Sequence, residues 1–229
     1  MALYAIGDLH LSVAAKKPMD IFEGWQDHAE KLIENWERKI GPQDTVVLAG
    51  DISWGMDLAQ AVPDFRLLHN LPGHKIILKG NHDYWWTSLT KMTETLEKHE
   101  LGSLSFLHNN SYFVEGVHIC GSRGWMFENG QPHNEKIVRR EAMRIEASLK
   151  SRGSQKGETV LFLHYPPTYA GQTLEAFFEL MQKYGVSHCC YGHVHGQGQR
   201  HAVRGLYRDI ELTMIASDYL GFDPLRVKR

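Results

Sequence analysis

The chain has 229 residues, of which 42% are hydrophobic and 23% charged, with a formal net charge of -2 and a pI near 6.7. It is long enough to bury a full core, and too close to neutral for a sequence-independent nucleic-acid binder, which is usually basic. Mean hydropathy is -0.37, and with no apolar run of about 18 residues no membrane span is expected.

The chain opens with MALYAIGDLH, which lacks the basic start and small-residue cleavage site of a signal peptide. A cytoplasmic location is therefore expected. LYAI at 3–6 predicts a strand, and the spacing of Trp25, Leu32, Ile33, Trp36 and Ile40 predicts a helix over 23–40, stopped by Gly41-Pro42. TVVLA at 45–49 is a second strand and 58–69 a helix; KIILK at 75–79 is a third strand and 87–99 a helix. The runs at 104–107, 111–115 and 117–121 are short and separated by Asn, Gly and Ser, which suggests antiparallel hairpins. A charged helix is expected over 134–150, and a polar loop over 151–158. TVLFL at 159–163, a helix over 172–184, SHCCY at 187–191 and two or three strands in the tail follow. Cys120, Cys189 and Cys190 sit in apolar runs without CxxC spacing and read as small core residues. Alternating strands and helices predict an α/β layered fold with a mixed sheet or two stacked sheets. No linker, repeat or low-complexity block divides the chain, so 1–229 is expected to be a single domain.

Five of these strands end in the same residue types. LYAI runs into Gly7-Asp8-Leu9-His10, TVVLA into Gly50-Asp51, and KIILK into Gly80-Asn81-His82-Asp83. TVLFL ends in His164, and SHCCY in Gly192-His193-Val194-His195. Ligands bind at the carboxyl ends of strands in open α/β sheets. Clusters of Asp, Asn and His without Cys describe one metal site lined by oxygen and nitrogen. Asp8 and His10, like His193 and His195, are two apart and point to one side of an extended segment. Mixed carboxylate and imidazole donors suit Mn, Fe, Zn, Co or Ni.

In this order, DLH at 8–10, GDISW at 50–54, GNHD at 80–83, LFLH ending at 164 and GHVH at 192–195 resemble the motif series of the calcineurin-like metallophosphoesterases. The resemblance covers 8–195. It implies a four-layer α/β/β/α sandwich with two mixed sheets and the metal site at the carboxyl ends of the strands. It also implies a dinuclear phosphohydrolase that cleaves a phosphate ester with a metal-bridging hydroxide. Asp8, His10, Asp51 and His195 would hold one ion. Asp51, Asn81, His164 and His193 would hold the other, with Asp51 bridging. His82 would act as acid or charge stabiliser at the leaving group, with Asp83 orienting its ring. The last Asp of the family's GDxxD motif is replaced by Trp54, which leaves a substrate-side contact open, and the interval from Asp8 to Asp51 is longer than the family's.

Asn81 and Arg123 are candidates for substrate contact, Arg123 through its bidentate fork, with a structural salt bridge as its alternative. Tyr84, Trp85 and Trp86 are expected to line the pocket or pack in the core. Arg139 and Arg140 read as solvated. His28, His69, His74, His99, His108, His118, His133, His188 and His201 read as surface or core histidines without partners in spacing. The expected substrate is a phosphomonoester or phosphodiester of a small molecule or nucleotide, without extended nucleic-acid binding. Two other classes of function stay open: a non-catalytic metal-binding interaction scaffold of the same fold, and a protein whose ions only stabilise it.

Overall fold

The computed structural model describes residues 1–126 and 134–227; His133 lies outside them. The first sheet contains β1 (Leu3–Ile6), β2 (Thr45–Ala49), β3 (His74–Leu78), β4 (Leu104–Phe106) and β13 (Leu225–Arg226), in the order β13-β1-β2-β3-β4. β1, β2, β3 and β4 run parallel, and β13 closes one edge antiparallel to β1. The second sheet contains β5 (Ser111–Val114), β6 (Val117–Ser122), β7 (Glu158–Leu163), β10 (Val186–Tyr191), β11 (Gly205–Tyr207) and β12 (Ile210–Met214), in the order β11-β12-β10-β7-β6-β5. Here β12, β10, β7 and β6 are parallel, and β11 and β5 are antiparallel edges.

The strands are apolar on both faces because each sheet is covered twice. Leu3, Ala5, Val47, Ala49, Ile76 and Leu78 pack against Ile119, Val160, Phe162 and Cys190 of the other sheet. The alternating residues Tyr4, Ile6, Val46, Leu48 and Ile77 face outward onto α1 (His28–Lys39), α2 (Leu58–Asn70) and α3 (Leu89–Lys98). On the far side, Leu161, Leu163, Cys189 and Tyr191 meet α4 (Glu135–Lys150) and α5 (Glu175–Lys183). The result is the four-layer α/β/β/α sandwich. All three cysteines are free and buried. No helix among the described residues is long and apolar enough to cross a membrane.

Three local expectations need correction. The helix predicted from residue 23 begins at His28, because Asp27 adopts φ 53 and the chain before it turns back on itself. The strand at 104–106 forms no hairpin with 111–114; it pairs in parallel with β3, while 111–114 joins the other sheet. The helix predicted from 172 starts at Glu175, preceded by a two-residue hairpin of β8 (Thr168–Tyr169) and β9 (Gln172–Thr173).

Candidate metal centre

The carboxyl ends of β1, β2 and β3 in one sheet and of β7 and β10 in the other bring the five polar clusters to one place. Two bonds close the seam between the sheets: the Gly7 N–H donates to Ile215 O at 2.7 Å, and the His193 N–H to Asp8 Oδ2 at 3.0 Å. Asp8, His10, Asp51 and His193 all have positive φ, between 46° and 71°. Four side-chain-bearing residues in a sparsely populated region cost free energy, and such strain collects at functional sites. Two glycines are demanded by close approach. A Cβ on Gly80 would collide with Asp51 Oδ1, and one on Gly192 with Asp8 Oδ2.

One oxygen or nitrogen from each of Asp8, His10 and His195 lies within 4.8 Å of the others, and the same is true of Asp8, Asp51 and His164. Asp51 Oδ2 is 3.8 Å from His10 Nε2 and 3.6 Å from His164 Nε2. Asn81 Oδ1 is 2.6 Å from His164 Nε2, and His193 Nδ1 is 3.2 Å from the same nitrogen. The seven predicted ligands therefore lie in one cluster, in which Asp8 belongs to both three-residue groups and Asp51 Oδ2 faces both His10 and His164.

The electrostatics are those of buried carboxylates set among imidazoles. Asp8 and Asp51 are almost fully buried. Burial, then the Asp83 and Asp8 carboxylates, push Asp51 well above the usual carboxylate range. Burial lowers His10, His164 and His193 to about 3, so each ring is a neutral donor, the form a metal requires. Against the effect of burial, Asp8 and Asp218 raise His195 to about 10. His164 makes the point most clearly. A neutral imidazole has one N–H, yet Nδ1 lies 3.0 Å from Ala49 O while Nε2 faces Asn81 Oδ1. With the hydrogen on Nδ1, directed at a carbonyl as in ligating histidines, Nε2 turns its lone pair into the cluster, toward the Asn81 amide and His193 Nδ1. Buried carboxylates and imidazole nitrogens presented in this way fit a divalent metal.

His82 is half-buried and only its backbone is held by the ligand set, its N–H donating to Asp51 Oδ1 at 2.7 Å. Its ring nitrogen Nδ1 lies 3.3 Å from Tyr84 Oη, and burial lowers its pKa. Asp83 does not orient that ring, contrary to expectation. Its oxygens accept the N–H groups of Gly80, Asp51, Ile52 and Ser53 and the indole N–H of Trp85. Asp83 ties the loops that follow β2 and β3. Of the three aromatics after GNHD, Trp85 is core, Trp86 packs partly buried against it, and Tyr84 is exposed beside His82.

Arg123 comes to the seam through its carbonyl, which accepts from His164 N at 3.1 Å. Its guanidinium is paired with the buried Glu141 carboxylate at 3.5 Å, and its Nε is buried without a partner. It also lines a cleft of about 270 Å³ with Lys79, His108 and Ser122. Arg140 joins the Glu141 cluster at 3.5 Å, so it is less free than its helix position suggested. Sequence reasoning missed Asp218, which holds His195 Nδ1 at 2.9 Å and also accepts from Gly196 N and Gln199 Nε2. Its signal was faint: a single Asp two residues past an apolar run.

Comparison with known proteins yields one family. Residues 1–197 match the description calcineurin-like phosphoesterase. The Gene 66 protein of Mycobacterium phage D29 is 40% identical over 76 residues, which is 33% of this chain and 37% of that protein. The match thus spans little more than a third of the relative's length. A phosphopantetheinyl hydrolase from Mycobacterium tuberculosis superposes with a TM-score of 0.55 at 15% identity, covering 94% of this chain and 88% of that one. The AQ665 protein from Aquifex aeolicus gives 0.52 at 18% identity, covering 98% and 94%. GAP50 of Plasmodium, described as the anchor in the inner membrane complex, gives 0.52 at 12%, covering 95% and 72%. At these identities the structural likeness speaks for the fold alone.

Proposed function

The chain belongs to the calcineurin-like phosphoesterase family, and from that premise we propose that it is a dinuclear metal-dependent phosphohydrolase acting on a phosphate ester of a small molecule or nucleotide. The observation that carries this reading is the position of Asp51, with Oδ2 within 3.8 Å of His10 Nε2 and 3.6 Å of His164 Nε2. One carboxylate in reach of two ligand sets is what a pair of ions sharing a bridge requires. In this reading residues 1–229 act as one domain, since the ligands come from both sheets.

Asp8, His10, Asp51 and His195 would hold one ion, and Asp51, Asn81, His164 and His193 the other. Divalent ions such as Mn, Fe, Zn, Co or Ni supply Lewis acidity and lower the pKa of water, making a nucleophile available near neutral pH. The protein supplies the rest. Asp83 fixes the separation of the Asp51 and Asn81 loops, and Asp218 fixes the ring of His195. Burial lowers the pKa of His82; a phosphate dianion beside it would favour its protonated form, the proton being taken up from solvent, and would put that proton within reach of the leaving oxygen. Asn81 would face the substrate; Arg123, which lines a cleft with Lys79, would join it there only by leaving its ion pair with Glu141.

Metal analysis of the purified chain tests the reading. Wild type retains two ions per chain and Asp51→Asn retains at most one. Two ions bound with equal affinity in both would remove the bridging role.

A further inference from the structure

Trp54, at the position where the family pattern carries an acid, is part of the wall of a cavity. Its ring stacks on His10 with centroids 4.9 Å apart and planes at 25°, and lies 4.8 Å from the ring of His82. Lys17 Nζ rests 4.5 Å from its centroid, and its indole N–H donates to Met19 Sδ at 3.4 Å. Trp25 meets His10 and His195 edge-on, each at 5.5 Å. Met19, Phe22 and Trp25 all come from the stretch that lengthens the interval between Asp8 and Asp51. Because α1 begins only at His28, Trp25 is released from the helix and turned toward the histidines.

These side chains enclose a cavity of about 520 Å³, lined by His10, Met19, Phe22, Trp25, Trp54 and His82. It meets the candidate metal centre at His10 and His195, with His82 beside them. Phe22 is 51% exposed although it borders the cavity, an apolar surface that a ligand would cover. Glu23 also lines the cavity, and none of its described lining residues is a lysine or arginine. The cations nearby are His195 at the metal side and Lys17 against Trp54, while most of the wall is aromatic or aliphatic, and walls of this kind and size suit an apolar group.

We propose that this cavity receives the organic part of the phosphate ester, that this part is an apolar alkyl or aryl group, and that Trp54 and Trp25 determine the preference. The inference rests on the phosphohydrolase reading, because the phosphate must sit at the metal centre for the substituent to reach the cavity.

Calorimetric titration of the Mn-loaded protein with ethyl-, butyl- and hexylphosphonate separates the two. Each buried methylene is expected to tighten Kd about fourfold, so the series steepens with chain length. Trp54→Ala flattens it and Trp54→Phe keeps most of it. Phe22→Ser, at an exposed position that does not threaten folding, weakens hexylphosphonate more than ethylphosphonate. A 2-carboxyethylphosphonate binds more weakly than butylphosphonate, and Glu23→Gln narrows that gap. Equal Kd for all three alkylphosphonates, or tighter binding of the carboxylate, would overturn the proposal while leaving the phosphate site intact. Failure of every phosphonate to bind would remove the phosphohydrolase reading and this inference with it.

Discussion

The carboxylate of Asp83 accepts the backbone N–H of Asp51 at 2.9 Å, so a buried acid outside the proposed ligand set holds the backbone of the proposed bridging ligand. The same carboxylate accepts from Gly80, Ile52 and Ser53. Removing it leaves several buried N–H groups without an acceptor, and each such group costs about 1–3 kcal/mol. Asp83→Ala is expected to lower unfolding free energy in urea by about 3 kcal/mol or more and to weaken metal binding. An unchanged urea midpoint would show that these loops hold themselves.

Asp218 sets the ring of His195 through a contact of 2.9 Å to Nδ1. Outer partners of this kind typically change metal affinity by about 10–100-fold. Asp218→Ala should show that loss in a competitive chelator titration, with little change in thermal midpoint for the metal-free protein. Wild-type affinity in the variant would mean the His195 ring is positioned by packing against Trp25 alone.

His82 is the one histidine of the cluster whose side chain is left out of the proposed ligand set. His82→Ala is predicted to keep its metal content and lose turnover by about a hundredfold or more. Tyr84→Phe, which removes the hydroxyl 3.3 Å from His82 Nδ1, should have a smaller effect and shift the pH profile. Full turnover in His82→Ala at normal metal load would exclude the proton-transfer role.

Lys75 gives a pH signature unrelated to the metal centre. It is fully buried in β3, donates to Leu71 O and Ser103 Oγ, and pairs with no carboxylate among the described residues. Burial lowers its pKa from 10.5 to about 8. Between these values the unfolded chain holds a proton that the folded chain has released, so stability rises with pH across that window. The penalty is fully present well below pH 8 and is on the order of 3 kcal/mol. Lys75→Met should be more stable than wild type at pH 7, with the gap closing toward pH 10.5 in urea titrations. A constant gap would place the proton elsewhere.

Most of the site was legible because its residues follow strands at fixed offsets: apolar runs at β1, β2, β3, β7 and β10 announce where Asp8, Asp51, Asn81, His164 and His193 must emerge. The layers were legible for the same reason, since runs such as TVVLA carry no polar face and must be covered twice. What lay hidden depends on tertiary contact. Trp25 continues the helical spacing of α1, yet Asp27 in the left-handed region takes it out of the helix. Asp83 sits next to His82 in sequence but points at backbone N–H groups of another loop. Glu141, a helix residue with no special spacing, is fully buried beneath three arginines.

Hydrolysis of p-nitrophenyl phosphate and bis-p-nitrophenyl phosphate by metal-free protein titrated with Mn(II), Fe(II), Zn(II) or Ni(II) tests the central claim most directly. The account predicts no turnover without metal, turnover that saturates at two ions per chain, and its loss in both Asp51→Asn and His82→Ala. Undiminished hydrolysis in Asp51→Asn, or saturation at one ion per chain, would contradict it.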